Sequence, residues 1–161
     1  MRTIVLGLGN PILGDDGVGW HVIQDLRNQM AGQLAADVQV DVAEAAVGGL
    51  ELMERLEGYE CAILVDAIQT RDGVPGTLYR LTLEDLPTVH ADSGHNASLK
   101  AALALGRQLG ARLPDRIVIY AIEAANIREF GEGLSPQVAA GAGPAVQAVL
   151  AEVRSLAPQK G

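Results

Sequence analysis

The side chains of this sequence best suited to chemistry are carboxylates and imidazoles, and they fall in three places. Asp15 and Asp16 stand side by side in a glycine-rich stretch, GLGNPILGDDGVG, running from Gly7 to Gly19. Asp66 closes an apolar run, Cys61-Ala62-Ile63-Leu64-Val65. His90 and His95 lie in a polar segment ahead of a run with helical spacing. Two carboxylates and one imidazole form a mixed oxygen and nitrogen donor set that suits a divalent transition metal such as nickel or zinc. Such a set leaves positions open for water or a substrate group. Plainer uses exist for each residue. Asp15 or Asp16 can cap the helix that follows, and Asp66 can end its strand in an Asx-turn. His21, on a helical face with Gln24, Asp25 and Asn28, reads as solvated, and spacing alone does not separate His90 from His95.

These residues need elements that bring them together. Thr3 to Gly7 reads as a first strand, and Val18, Val22, Ile23, Leu26 and Met30 recur at helical spacing after the loop. Asp37 to Val42 alternates as a second strand, and Gly48-Gly49 opens a short amphipathic helix carrying Leu50, Leu52, Met53 and Leu56. Cys61 to Val65 reads as a central strand covered on both faces. Thr77 to Thr82 follows it too closely for a helical crossover, so it is expected to run antiparallel to a neighbour. A helix is expected from about Ala97, a last buried strand over Ile117 to Ile122 ending at Glu123, and a final helix after Ser135-Pro136. Gly141, Gly143 and Pro144 predict a kink or restart in that helix. The expected fold class is α/β, a three-layer domain whose mostly parallel sheet has one antiparallel strand and helices on both faces. Parallel strands share one carboxyl edge, where such folds place their ligands. Asp16 and Asp66, 50 residues apart, can therefore converge there, with Asp41 to Glu44 and Glu123 nearby.

Composition narrows the function. At 161 residues the chain fits one domain, over 1–157, with a frayed tail over 158–161. A net charge of −8 argues against a nucleic-acid partner. No apolar run reaches the roughly 20 residues that span a bilayer, and no signal-peptide pattern is present, so the expected location is cytoplasmic. The single cysteine, Cys61, excludes a disulfide framework within the chain and reads as a buried structural thiol. There is no HExxH and no GxxxxGK[ST]. Ile12 stands where a dinucleotide loop needs its third glycine. Asp92-Ser93-Gly94-His95 lacks a nucleophile elbow, and residues so close in sequence rarely reach triad geometry.

The motifs together resemble one family. GLGNPILGDDGVG is similar to the GxGNxxxxDDGxG opening of the hydrogenase maturation endopeptidases, peptidase family M52. Val47-Gly48-Gly49-Leu50-Glu51-Leu52, Leu64-Val65-Asp66-Ala67 and Ser93-Gly94-His95-Asn96-Ala97-Ser98-Leu99 resemble later segments of that family, in order. Phe130-Gly131-Glu132-Gly133-Leu134-Ser135-Pro136 resembles its approach to the last helix. The resemblance implies a five-stranded twisted sheet between helices. It also implies an endopeptidase that removes a C-terminal peptide from the large-subunit precursor of a [NiFe] hydrogenase once nickel is inserted. Motif by motif it assigns Asp16, Asp66 and His95 as metal-contacting and catalytic residues, and it selects His95 over His90. The nickel is carried by the substrate, and zinc or cadmium could occupy the same donors. No nucleic-acid or membrane partner is implied.

Two segments depart from the family pattern. Glu44-Ala45-Ala46-Val47 replaces an Asp-Gly-Gly-Thr-like run, so Glu44 is a candidate substitute for its acid, while the threonine hydroxyl is lost. Glu123-Ala124-Ala125 replaces a segment that often contains proline. An alternative comes from the peptidyl-tRNA hydrolases, which also open with GLGNP and use the asparagine that corresponds to Asn10. Their downstream histidine segment is replaced here by DDGVG. A third reading is a non-catalytic nickel-binding assembly factor.

Overall fold

The computed structural model describes residues 1–31, 39–46, 48–86 and 96–157, the last segment with side chains from 99 onward. Five strands form one sheet: β1 (Arg2–Leu8), β2 (Gln39–Ala45), β3 (Cys61–Ile68), β4 (Leu78–Leu81) and β5 (Arg116–Glu123). They lie in the order β2-β1-β3-β5-β4. The first three and β5 are parallel, and β4 pairs antiparallel with β5, as the short connection after β3 requires. Four helices complete the fold: α1 (Val18–Met30), α2 (Gly49–Leu56), α3 (Asn96–Gln108) and α4 (Pro136–Ser155).

Alternation along the strands divides the core in two. Val5, Ile63, Val65, Val118, Tyr120 and Ile122 face α1 and α4, which supply Val22, Leu26, Val146 and Val149. Leu6, Leu64, Ile119 and Ala121 face α2 and α3, which supply Leu52, Leu56, Leu99 and Leu103. Every residue of β3 is buried, as expected for a central parallel strand with helices on both faces. Cys61 is a buried free thiol at its start.

Several boundaries differ from the sequence reading, each for a tertiary reason. Strand β3 continues past Asp66 to Ile68, because Asp66, Ala67 and Ile68 pair with Ala121, Ile122 and Glu123 of β5. Asp66 therefore lies inside a strand and does not end one. Likewise β2 extends to Ala45, since Ala43, Glu44 and Ala45 continue the register with Leu6, Gly7 and Leu8. Helix α4 does not restart; Pro144 lies inside one helix whose Ala142, Ala145 and Val146 are buried against the sheet. Asp37, at the expected start of the second strand, and the tail over 158–161 lie outside the described residues.

Candidate active site

The loop after β1 carries the first candidate acid. Gly9 adopts φ +124°, and a methyl group there would sit 1.9 Å from the Asp16 carbonyl oxygen, so no other residue fits. This tight return lets the Asn10 N–H donate to Asp16 Oδ2 at 2.8 Å. A single 3₁₀ turn, Gly14–Gly17, then leads into α1. Gly19 packs so closely on the ends of β1 and β3 that a methyl group would lie 2.5 Å from both the Leu8 and Val65 carbonyl oxygens. The loop is thus pressed onto the carboxyl edge of the sheet beside Asp66.

Neither aspartate caps α1. Gly17 occupies the cap position, and no side chain bonds the first turn. Asp15 instead turns away into the protein. Its Oδ2 accepts from Ala125 N and Asn126 N at 2.9 and 3.0 Å and from Ser135 Oγ at 2.9 Å, while Oδ1 accepts from Ser135 N at 2.7 Å. Burial opposes its charge, but the bonds from Asn126, Ser135 and Ala125 outweigh it and hold the carboxyl below the usual aspartate range. Ser135 takes the N-cap position of α4 as its sequence predicts, but its hydroxyl is spent on Asp15 and not on the helix.

Asp66 is placed very differently. It shares the face of β3 that carries Leu64 and Ile68, toward α2 and α3, and its residue is only 4% exposed. One oxygen, Oδ1, accepts the N–H of Ala67 at 2.8 Å, and the buried Oδ2 has no partner among the described residues. Burial, then the charge of neighbouring Asp16, push this carboxyl up to about 7, against the opposing Ala67 bond. A buried carboxylate oxygen without a donor, beside a second acid, is the natural place for a cation. Asp16 and Asp66 are thus brought together at one edge, as their strands predicted. His95, with His90 and Ser93, lies outside the described residues, among which no three acidic, histidine or cysteine side chains stand together as a ligand set.

The other candidates are committed elsewhere. Glu44 is held by both terminal guanidinium nitrogens of Arg27, Nη2 at 2.9 Å from Oε2. Glu123 reaches the predicted edge, but its buried carboxylate accepts from the Thr70 N–H and hydroxyl and from the Tyr79 hydroxyl. His21 is half-buried rather than solvated, on a groove with Trp20, Ile12 and Glu132 that the sequence reading missed. Its one signal in the sequence was an isoleucine in a polar loop.

Comparison with known proteins shows which family the chain belongs to. The model of the hydrogenase maturation protease family matches residues 21–152, a span that includes Asp66 and His95. The chain belongs to the hydrogenase maturation protease family. It is 29% identical over 156 residues to the hydrogenase 2 maturation protease of Escherichia coli, covering 96% of this chain and 92% of that protein. It is 27% identical to the hydrogenase expression/formation protein HupD of Rhodobacter capsulatus, covering 96% of this chain and 72% of the relative. Among solved structures, the hydrogenase maturating endopeptidase HybD from E. coli superposes with a TM-score of 0.80 at 28% identity, covering 98% and 94% of the two chains. The [NiFe] hydrogenase maturation protease HybD from Thermococcus kodakarensis does so with 0.71 at 27% identity, covering 95% and 99%. This maturation protease therefore has its family's α/β fold, and its activity is that of a peptidase acting in hydrogenase maturation. The family also sets aside the peptidyl-tRNA hydrolase reading. Among the described residues, no helix of the protease is long and apolar enough to cross a membrane.

Proposed function

We propose that this protease removes a C-terminal extension from the large-subunit precursor of a [NiFe] hydrogenase, and that it acts after nickel insertion. In this reading Asp16, Asp66 and His95 meet the nickel that the precursor carries. The observation that carries the proposal is the partnerless Oδ2 of buried Asp66 beside Asp16. Carboxylate and neutral imidazole donors suit Ni(II), and zinc or cadmium would suit the same set. Contact with the substrate's metal would fix the scissile peptide bond against the sheet edge, so that hydrolysis gains from positioning. The Asn10 N–H holds one oxygen of Asp16, which supports an oriented ligand in place of a freely rotating one.

The test is cleavage of nickel-loaded and nickel-free precursor, followed by intact-mass spectrometry. Loss of a C-terminal peptide from the loaded form alone is the expected result. Equal processing of both forms would sink the nickel-recognition reading. Binding of loaded precursor without any shortening would favour the assembly-factor alternative.

A further inference from the structure

We propose that the groove on the outer side of the Asp16 loop is a docking subsite for the precursor, which takes an apolar side chain with a cationic neighbour. This rests on the reading of the chain as a precursor-processing protease. The groove is a cavity of about 250 Å³ walled by Pro11, Ile12, Trp20, His21, Gln24 and Glu132. That volume is below the roughly 300–1,000 Å³ of small-molecule sites and suits a single large side chain.

Three observations point to a polypeptide occupant. The first is continuity with the candidate site. The groove begins at Pro11, directly after the Asn10 whose N–H holds Asp16, and Pro11 packs against Gly17 on the other side of Asp16. A chain lying across Asp16 has its next residues within reach of the groove. The second is that the walls are built in advance. The Ile12 carbonyl accepts from Gly131 N, and the Gly131 carbonyl accepts from Gly14 N, both at 2.8 Å, which staples the two loops together. Trp20 is tethered through Nε1 to the Ala45 carbonyl. Ile12 nevertheless remains 47% exposed and belongs to neither core cluster, and nearby Phe130 is 84% exposed.

The third is charge. Glu132 stands on the wall, exposed, and the whole chain carries −8. Apolar walls with an acidic rim complement an apolar side chain next to a cationic one. Among the described residues, two cavities of about 410 and 320 Å³ surround Arg107 and Asp115 near the start of β5, at the opposite edge of the sheet. They are out of line with a peptide at Asp16.

Steady-state cleavage of nickel-loaded precursor tests the subsite with Ile12→Asp and Glu132→Lys. Leu109→Asp, at a 75% exposed position after α3, serves as control. Ile12→Asp is expected to raise KM about tenfold with kcat within about twofold, the size of a misfit in an apolar pocket. Glu132→Lys is expected to raise KM by a smaller factor that shrinks with added salt, and the control to change neither constant. Both groove positions are exposed, and unchanged melting temperatures are expected for both variants. If the wild type cleaves but KM is unaltered in both variants, the subsite is wrong and the protease reading stands. The same holds if only kcat falls. If the wild type cleaves no precursor, both fall.

Discussion

Asp15 and Asp66 are both buried aspartates on the same edge of the sheet, yet their surroundings are opposite. Asp15 receives four hydrogen bonds from three residues more than 100 positions away in sequence. Among the described residues, Asp66 receives one, from its own neighbour, and has an oxygen with none. Glu152 of α4 sides with Asp15, since Arg80, Arg116 and Tyr120 surround its carboxylate. An acid that holds a structure together has its lone pairs filled by the protein. An acid kept buried and half-filled costs stability, which the fold tolerates where the empty oxygen has a use.

Removing the charge at Asp66 is the strongest test of that contrast. Asp66→Asn is expected to lower cleavage of nickel-loaded precursor at least about 100-fold, since even outer partners of metal ligands are worth about 10–100-fold. Its effect on stability should be opposite in sign to the usual loss. The folded carboxyl titrates at about 7, above the ordinary aspartate value of 3.8, so the native state retains a proton that the unfolded chain releases. Wild-type stability therefore falls as pH rises between those two values. That difference corresponds to at most about 4 kcal/mol, which Asp66→Asn should recover in part at pH 8. Urea melts of both proteins at pH 5 and pH 8 measure this, and a variant less stable at pH 8 would break the comparison. If Asp66 meets the metal as proposed, contact needs the ionised carboxylate, and cleavage by the wild type should rise with pH up to about 7.

Asp15→Ala should show the reverse pattern. It strips the partners from the Ala125, Asn126 and Ser135 donors, and a loss of about 3 kcal/mol is expected from urea melts. Asp15 is held below its ordinary range, so its contribution is present above the unfolded aspartate value and disappears as pH falls through the folded one. The smallest effect belongs to Glu44→Gln. Its pair with Arg27 lies at the surface, where such pairs are worth under about 1 kcal/mol, and cleavage should stay near wild type. A tenfold fall in kcat/KM would return Glu44 to the site.

Much of this was legible in the residues themselves. The apolar runs announced β1, β3 and β5, and the helical periodicities announced α1 and α3, because burial imposes those patterns directly. The short link after β3 announced the antiparallel strand. The division of labour between Asp15 and Asp16 was not legible. Both stand next to a helix start, and either could have capped it; the partners that claim Asp15 lie at Ala125, Asn126 and Ser135. Glu44 looked available until folding set Arg27 against it, and Glu123 until Thr70 and Tyr79 closed around it. Where Asp66 sits in its strand also depended on β5, whose pairing carries β3 to Ile68.

By itself the sequence determined that this is an α/β chain with a glycine-shaped loop able to carry an acid to the sheet edge. Glycine at position 9 does this through local sterics, since its positive φ and its close approach to Asp16 lie within the loop itself, whereas the need for glycine at position 19 comes from Leu8 and from distant Val65. Only the tertiary structure decided which carboxylates are spent and which remain free. That choice depends on donors that folding brings from elsewhere in the chain, or, at Asp66 Oδ2, does not bring.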